Sequence, residues 1–185
     1  MTKKIFLKTN RLLLCELQDS DKENIFKIAT EAITLRNEEY QKKFNFAYWE
    51  EVNSETILNA TMFLADSETF VGRICMKYIN ETIPELGIEI LNTYQNKGYG
   101  PEAIKAFCKW YANEYNVNEV SVRIKIENTH SIHIFEKLGA KLIGQSSSIS
   151  DESINIIQNY FSEDISGIWK NDTRDYLLGI PVEDN

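Results

Sequence analysis

The sequence predicts a mixed α/β (α+β) domain with a mostly antiparallel central sheet and flanking helices. Leu86, Ile88 and Ile90 alternate with polar or small residues, which is typical of a strand with one polar face. Apolar residues then recur at helical spacing over 104–115, and a second alternating strand follows at 120–126. Because one helix connects these two strands, the fourth and fifth of the predicted sheet, they should form a right-handed parallel pair.

The sequence before this strand–helix–strand segment predicts a strand, helices and a hairpin. The first predicted strand is Leu12–Leu17, and Ser20-Asp-Lys-Glu23 has the S-x-x-E form of a capping box that starts a helix. Residues 36–60 mix charged and aromatic side chains and predict one or two short helices. Their aromatics fit either an acceptor pocket or plain packing. Two strands follow, Thr61–Ala65 and Phe70–Ile79.

The chain after the fifth strand predicts a short helix and further strands. The helix follows Asn128-Thr-His-Ser131 and ends at Gly139, as is common just past a helix C-terminus. Lys141–Gln145 begins another strand. An amphipathic helix is expected near 154–161, and Arg174–Ile180 is predicted as the closing strand.

Length and charge narrow the class of protein. The 185 residues are expected to form a single domain, 1–185, with a core over about 9–145 and a C-terminal extension that holds the extra helix and the closing strand. The formal net charge is -8 and the chain has no basic stripe, which argues against a nucleic-acid-binding protein. An acidic surface favours a cationic small molecule or a basic peptide as partner.

The cysteines and the apolar runs argue against a metal site and a membrane segment. Cys15, Cys75 and Cys108 are widely spaced and form no CxxC pair, so reduced core cysteines are expected and no bound metal. No apolar run approaches the roughly 20 residues that span a bilayer, and the first residues lack a signal-peptide pattern. A cytoplasmic protein without membrane attachment is the expectation.

A glycine-containing loop after the fourth strand predicts an anion site. Gly98 and Gly100 permit a tight turn, and Pro101 stands where a helix is expected to begin, since proline suits the first helical position. Unpaired backbone N–H groups and the positive end of the helix dipole should therefore converge on Lys97–Gly100. A phosphate group is the ligand that fits such a site best.

Two common phosphate-binding patterns fit this loop poorly. In a Rossmann G-x-G-x-x-G fingerprint, Ala103 would replace the third glycine, which that position tolerates. However, the first Rossmann strand is normally buried on both faces, whereas Glu85 and Glu89 share one face of this strand. A Walker loop requires Gly-Lys-Ser/Thr, which the chain lacks here.

Several ordered motifs resemble the GNAT superfamily of N-acetyltransferases. Gln95-Asn-Lys-Gly-Tyr-Gly100 matches the Q/R-x-x-G-x-G/A signature of that superfamily. Thr9-Asn-Arg-Leu-Leu-Leu14 resembles the opening strand of the branch that includes ribosomal-protein alanine and spermidine acetyltransferases. Glu85-Leu-Gly-Ile resembles the fourth strand of that branch, and residues 127–140 resemble its closing helix.

The resemblance implies a GNAT fold, in which the fourth strand splays from the fifth, and acetyl-CoA as co-substrate. Loop amides would hold the pyrophosphate, and Pro101 takes a position that is usually threonine or alanine in the family. The backbone near Ile88 and Ile90 would pair with the pantetheine arm, which Asn128 would also contact. The implied pyrophosphate-binding residues are Gln95, Asn96, Lys97, Gly98, Tyr99, Gly100 and Pro101.

The implied reaction is direct transfer of the acetyl group from the thioester to an amine. The amine must be neutral to attack, so a base, or a water held by one, should remove its proton. A carboxylate can do so if burial raises its pKa. Glu85 matches a glutamate common in the branch and is the preferred base, and Glu89 on the same face is the second candidate.

The general acid is less well defined by the resemblance. Phe135 replaces a tyrosine that protonates the departing CoA thiolate in many relatives, so Ser131 or a water is the candidate instead. His130 and His133 belong to the same short helix and are weaker candidates, because that helix is expected away from the face of Glu85 and Glu89.

The expected function is acetyl-CoA-dependent N-acetylation of a primary amine on a small cationic molecule or a protein N-terminus. Polyamines and aminoglycoside-like drugs are candidate acceptors. A related acyltransferase with another acyl donor or acceptor remains open. So does a CoA-binding sensor or partner module without turnover, which Phe135 favours. The helix near 154–161 could shape the acceptor pocket or a homodimer contact.

Overall fold

The computed structural model of the chain describes residues 3–35, 37–147 and 172–181. The chain forms two compact units, Met1–Asn118 with Ile180–Asn185 and Glu119–Gly179. The helix expected near 154–161 lies outside the described residues. Within each unit the strands pair antiparallel, and helices accompany them, so the predicted mixed α/β class with mostly antiparallel pairing is confirmed.

The first unit contains a five-stranded antiparallel sheet in which each strand pairs with the next along the chain. Its strands are β1 (Ile5–Lys8), β2 (Leu12–Glu16), β3 (Ile57–Leu64), β4 (Phe70–Lys77) and β5 (Glu85–Ile90). The prediction that Leu12–Leu17 is the first strand was wrong, since β1 precedes it. β1 has only four residues and none of them is fully buried, so it carries little of the alternation that identifies a strand.

Three helices belong to the first unit: α1 (Lys22–Ala32), α2 (Glu38–Val52) and α3 (Tyr99–Tyr115). Residues 36–60 thus contain one long helix and the start of β3 rather than the predicted one or two short helices. The predicted capping box at Ser20–Glu23 was also wrong. A short 3-10 turn, Asp19–Asp21, precedes α1, and the buried Asp21 carboxylate accepts a hydrogen bond from the Gln18 backbone N–H at 3.0 Å.

The two faces of this sheet differ in polarity. One residue from each of four neighbouring strands forms a directly opposed row across one face, namely Cys15, Thr61, Arg73 and Glu89. α2 contacts this face through Tyr48 and through the Val52 carbonyl. The other face is apolar and fully buried at Leu12, Leu14, Met62 and Ile74. The pleat of each strand therefore separates a polar row from an apolar layer.

α3 lies on the apolar face. A methyl group added at Gly100 would lie 3.5 Å from Ile90 Cδ1, so the start of α3 packs against the end of β5. The helix buries Ala103, Ile104, Phe107, Cys108, Tyr111 and Ala112, which recur at helical spacing. The prediction of a buried face ending at Tyr115 was wrong in that residue, which is exposed near the end of the helix. β5 consequently presents its isoleucines toward the α3 side and its glutamates toward the α2 side.

The second unit contains α4 (Thr129–Lys137) and three antiparallel strands in the order β6, β8, β7. The strands are β6 (Glu119–Lys125), β7 (Lys141–Ser147) and β8 (Asp172–Gly179). α4 ends as predicted: Gly139 has φ +92° and donates to the Glu136 carbonyl, and Ala140 donates to the Phe135 carbonyl. These two bonds form a Schellman motif.

No helix in the described ranges is long and apolar enough to cross a membrane.

Candidate active site

The glycine-containing loop begins where β5 ends. A short 3-10 turn, Asn92–Tyr94, leads out of the strand, and the Gln95 side chain then folds back toward it. Gln95 Nε2 donates to the Ile90 carbonyl at 2.9 Å and to Asn92 Oδ1 at 3.1 Å. The glutamine of the Q-x-x-G-x-G motif therefore ties the loop to the end of β5.

The loop turns through two residues with positive φ. Asn96 has φ +60° and Gly98 has φ +80°, a left-handed conformation that asparagine and glycine adopt more readily than other residues. Gly98 is the N-cap residue of α3, so the helix starts at Tyr99. Pro101 is thus the third helical residue, and the prediction that it is the first was wrong.

The start of α3 leaves backbone donors without carbonyl partners inside the helix. The first N–H groups of any α-helix lack an intrahelical acceptor, and here they belong to Tyr99 and Gly100, while Pro101 has no N–H. Glu102 is the first residue of the helix whose backbone N–H donates to the preceding loop, and its acceptor is the Gly98 carbonyl at 3.4 Å. The geometry is that of an anion site at a helix N-terminus, of the kind that binds phosphate.

Arg11 borders this loop, although the prediction of the site did not include it. Its Nη1 donates to the Lys97 carbonyl at 2.9 Å, and its guanidinium lies 4.6 Å from the centre of the Tyr99 ring. Glu102, in the first turn of α3, accepts from Arg11 Nε at 2.6 Å. The signal that could have identified Arg11 is its place in Thr9–Leu14, a segment that resembles the opening strand of the family branch.

Glu89, a candidate base, is held in a polar cluster on the α2 face. Its Oε2 accepts from Tyr48 Oη at 2.5 Å and from Arg73 Nε at 2.9 Å, and Arg73 Nη2 lies 2.7 Å away. Arg73 Nη1 donates to Asn59 Oδ1 at 2.7 Å, and Asn59 Nδ2 donates to the Val52 carbonyl at 2.6 Å. The cluster joins β3, β4, β5 and α2.

These contacts set the charge of the cluster. Burial opposes ionisation of Glu89, but the Arg73 charge and the hydrogen bonds from Tyr48 and Arg73 outweigh it and hold the pKa of Glu89 below its usual value. Burial, together with the negative charge of Glu89, raises the pKa of Tyr48 well above its usual value. Glu89 is therefore an ionised carboxylate with one-third of its side chain exposed, beside an arginine that is only 5% exposed.

Glu85, the preferred base, lies on the same face of β5 and directly opposite Lys77 on β4. Its position is half-buried, one pleat repeat before Gly87 and two before Glu89. Lys77 Nζ also lies 3.8 Å from Glu51 of α2. The two glutamates thus share a face, as predicted, but they have different neighbours.

Sequence reasoning missed Asn59 and Arg73, and it left Tyr48 open as one of the aromatics of 36–60 that fit either an acceptor pocket or packing. Arg73 carried a usable signal, because it is a lone charged residue within the apolar run of β4, and such a residue is normally paired when buried. Asn59 carried no such signal, since a single uncharged polar residue in a strand is common.

In the second unit, Asn128 caps α4. Its Oδ1 accepts from the Ser131 backbone N–H at 3.1 Å, and this bond satisfies one of the free donors of the first turn. Ser131 is half-buried, His130 and His133 are exposed, and Phe135 is 3% exposed in the core of the unit. A buried phenyl ring at this position has no proton to donate.

Within the ranges that the structure describes, no group of three or more His, Cys, Asp or Glu side chains could hold a metal ion.

The chain is similar to known acetyltransferases. Residues 11–141 match the model of the acetyltransferase (GNAT) domain family. The chain is 28% identical over 147 residues to YnaD, an uncharacterized N-acetyltransferase of Bacillus subtilis strain 168, and the match covers 74% of this chain and 82% of that protein.

Solved structures show the same fold. A GNAT-family acetyltransferase from Bacillus anthracis has a TM-score of 0.68 at 21% identity, covering 94% of this chain and 97% of that chain. A variant of the spermidine N-acetyltransferase SpeG from Vibrio cholerae has a TM-score of 0.69 at 14% identity, covering 92% and 95%. The predicted fold class and the predicted superfamily are both confirmed.

Proposed function

Since the chain belongs to the acetyltransferase (GNAT) domain family, we propose that it transfers an acetyl group from acetyl-CoA to a primary amine. The observation that carries this proposal is the loop between β5 and α3, where the family motif, two left-handed residues and the start of a long helix coincide. Such a loop suits the pyrophosphate of a coenzyme A thioester.

The donor would be bound mainly by backbone. In this proposal the loop 95–100 and the first turn of α3 hold the pyrophosphate through N–H groups, and Pro101 contributes only its fixed φ. The backbone of β5 at Ile88 and Ile90 pairs with the pantetheine arm in the manner of an added strand. The family resemblance assigns Asn128 to the same arm, and in this structure its Oδ1 caps α4.

The amine would attack the thioester carbonyl directly. It must first lose a proton, and an efficient base has a pKa near the working pH. The pKa of Glu89 is held below its usual value, which disfavours Glu89 as that base. Glu85 is therefore the proposed base or water-orienting group, while the ionised Glu89 stays paired with Arg73.

The departing CoA thiolate would receive a proton from Ser131 or from water. Phe135 cannot supply it. A thiolate of ordinary basicity is a good leaving group. A weak general acid should therefore slow the reaction less than loss of the general base would.

The acceptor proposed here is a small cationic amine, because the net charge of the chain is -8. Spermidine, the substrate in the name of the Vibrio cholerae structures, is the first compound to test. Protein N-termini and aminoglycoside-like drugs follow.

The first test is thiol release from acetyl-CoA, followed with DTNB across a panel of amines. Glu85→Gln should lower kcat by about 10² to 10⁴-fold while CoA binding stays unchanged, because only the proton acceptor is removed. Glu81→Gln, which changes an exposed glutamate just before β5, is the matched control and should retain full activity.

Two outcomes would contradict parts of the proposal. Full activity of Glu85→Gln beside an inactive Glu89→Gln would transfer the base role to Glu89. Tight CoA binding without turnover on any amine would instead support a CoA-binding sensor or partner module, the alternative that the buried Phe135 favours.

A further inference from the structure

We propose that Arg11 is a positioning residue that holds the pyrophosphate-binding loop in its binding conformation, an inference that rests on the proposed use of acetyl-CoA. Arg11 precedes β2 and is 86 residues distant in sequence from Lys97, whose carbonyl it binds. It contacts Lys97 and Tyr99 of the loop and acts through them, without touching the reacting atoms.

The guanidinium contacts the two residues that flank Gly98, at the point where the loop becomes α3. Nη1 donates to the Lys97 carbonyl at 2.9 Å, and the cation lies over the Tyr99 ring at 4.6 Å. Between them, a methyl group added at Gly98 would lie 3.3 Å from Arg11 Nη2. The glycine thus serves two needs, a left-handed φ and the close approach of the arginine.

Glu102 and Thr9 orient the arginine. Glu102 Oε2 accepts from Arg11 Nε and lies 2.6 Å from Nη2, a geometry that uses the planar fork of the guanidinium. Glu102 Oε1 accepts from the Arg11 backbone N–H at 3.0 Å and from Thr9 Oγ1 at 2.6 Å. The Arg11 carbonyl accepts from Ala65 N–H, which anchors the backbone of Arg11 to the end of β3.

Fixing the Lys97 carbonyl also fixes the next N–H. In a trans peptide the C=O and N–H groups point in opposite directions, so a carbonyl turned toward Arg11 directs the Gly98 N–H away from it. That N–H joins those of Tyr99 and Gly100 at the start of α3. Arg11 therefore determines the direction of one of the donors that would meet a pyrophosphate.

The same ion pair removes a repulsion. Glu102 lies in the first turn of α3, where an unpaired carboxylate would repel a bound diphosphate. Partial burial opposes ionisation of Glu102, but hydrogen bonds from Thr9 and Arg11 outweigh it and keep its pKa below the usual value, so it is charged at neutral pH. Arg11 balances that charge beside the binding loop.

The test compares Arg11→Ala and Arg11→Lys with Lys8→Ala, which removes an exposed positive charge at the end of β1. Two donors are used: acetyl-CoA, and S-acetylpantetheine, which lacks the pyrophosphate. Arg11→Ala should raise the KM for acetyl-CoA about tenfold with kcat changed less than about twofold, and should leave kcat/KM for S-acetylpantetheine unchanged. Lys8→Ala should match the wild type with both donors.

Arg11→Lys distinguishes positioning from bulk charge. Lysine keeps the charge but cannot form the fork, so Arg11→Lys should resemble Arg11→Ala. Wild-type behaviour of Arg11→Lys, or an equal loss with both donors, would overturn the inference. Absence of CoA binding by the wild-type protein, measured by calorimetry, would instead overturn the proposed function on which it rests.

Discussion

Arg73 places a full positive charge inside the first unit, with only 5% of its side chain exposed. The charge is tolerated because Glu89, Asn59 and Tyr48 surround it with an ion pair and hydrogen bonds. The same contacts decide the chemistry of Glu89, which stays ionised and is a weak base. At the residue scale, one buried arginine therefore gives two glutamates that look alike in sequence different electrostatic surroundings.

Glu89→Gln should lower the free energy of unfolding at pH 7 by about 2 kcal/mol, because Arg73 then loses its charged partner. Since the pKa of Glu89 is lowered on folding, its contribution is complete above the ordinary value of 4.5 and declines as the pH falls through the folded-state pKa. The difference in unfolding free energy between wild type and Glu89→Gln should therefore shrink in acid. Urea unfolding at several pH values measures it.

Glu81→Gln provides the comparison for this series, since an exposed surface substitution changes stability by about 0.5 kcal/mol or less. The contrary result is a difference in unfolding free energy between wild type and Glu89→Gln that stays constant down to the lowest pH at which the protein folds. That result would show that the Arg73 contact does not hold Glu89 ionised.

At the scale of elements, the start of α3 depends on one glycine conformation. Gly98 has φ +80° and stands between the loop and the helix, and a methyl group added there would lie 3.3 Å from Arg11 Nη2. Gly139 has a similar φ of +92°, but it lies at the end of α4, where an added methyl would meet nothing within 4 Å among the described residues. The two glycines have the same backbone requirement in different surroundings.

Gly98→Ala and Gly139→Ala form a matched pair. Each should cost about 1 kcal/mol of stability, because alanine resists the left-handed conformation. Only Gly98→Ala should also weaken CoA binding, by roughly tenfold, since its methyl group displaces Arg11 or the loop. Thermal unfolding and calorimetric titration with CoA measure the two effects separately. An equal loss of CoA affinity in both variants would contradict a local role for Gly98.

On the scale of the whole molecule, β5 connects the two proposed tasks. Its isoleucines face α3, with the loop for the donor at the end of the strand, and its glutamates face α2, with the charged cluster. Alternation along one strand thus gives the first unit a donor-binding feature and an acid–base feature that share a backbone. The same layering buries all three cysteines of the chain, Cys15, Cys75 and Cys108.

The cysteines provide a probe of folding. Burial raises the pKa of each of the three thiols, that of Cys108 to about 12, so thiolate is scarce and shielded in the folded protein. DTNB should label close to none of the three thiols in buffer and all three in denaturant. Rapid labelling of a thiol in buffer would contradict this packing and would also add a background to the acetyl-transfer assay.

Much of the fold was predictable because its signals are local. Alternation identified β5 and β6, and Gly139 identified the end of α4. The exact start of α3 was not predictable, because proline is acceptable anywhere in the first turn. The left-handed Gly98 decides where the helix begins. β1 was missed because its four residues become a strand only by pairing with β2.

The sequence by itself determined the family, the loop for the proposed cofactor and the two candidate glutamates, because each is a short pattern with a local conformational requirement. Only the tertiary structure decided that Arg73 and Tyr48 hold Glu89 ionised and that Arg11 supports the loop. Glu89 meets Arg73 and Tyr48, which lie 16 and 41 residues away, and Lys97 meets Arg11 across 86 residues. Such contacts follow from strand pairing and helix packing, so no pattern in a continuous segment predicts them.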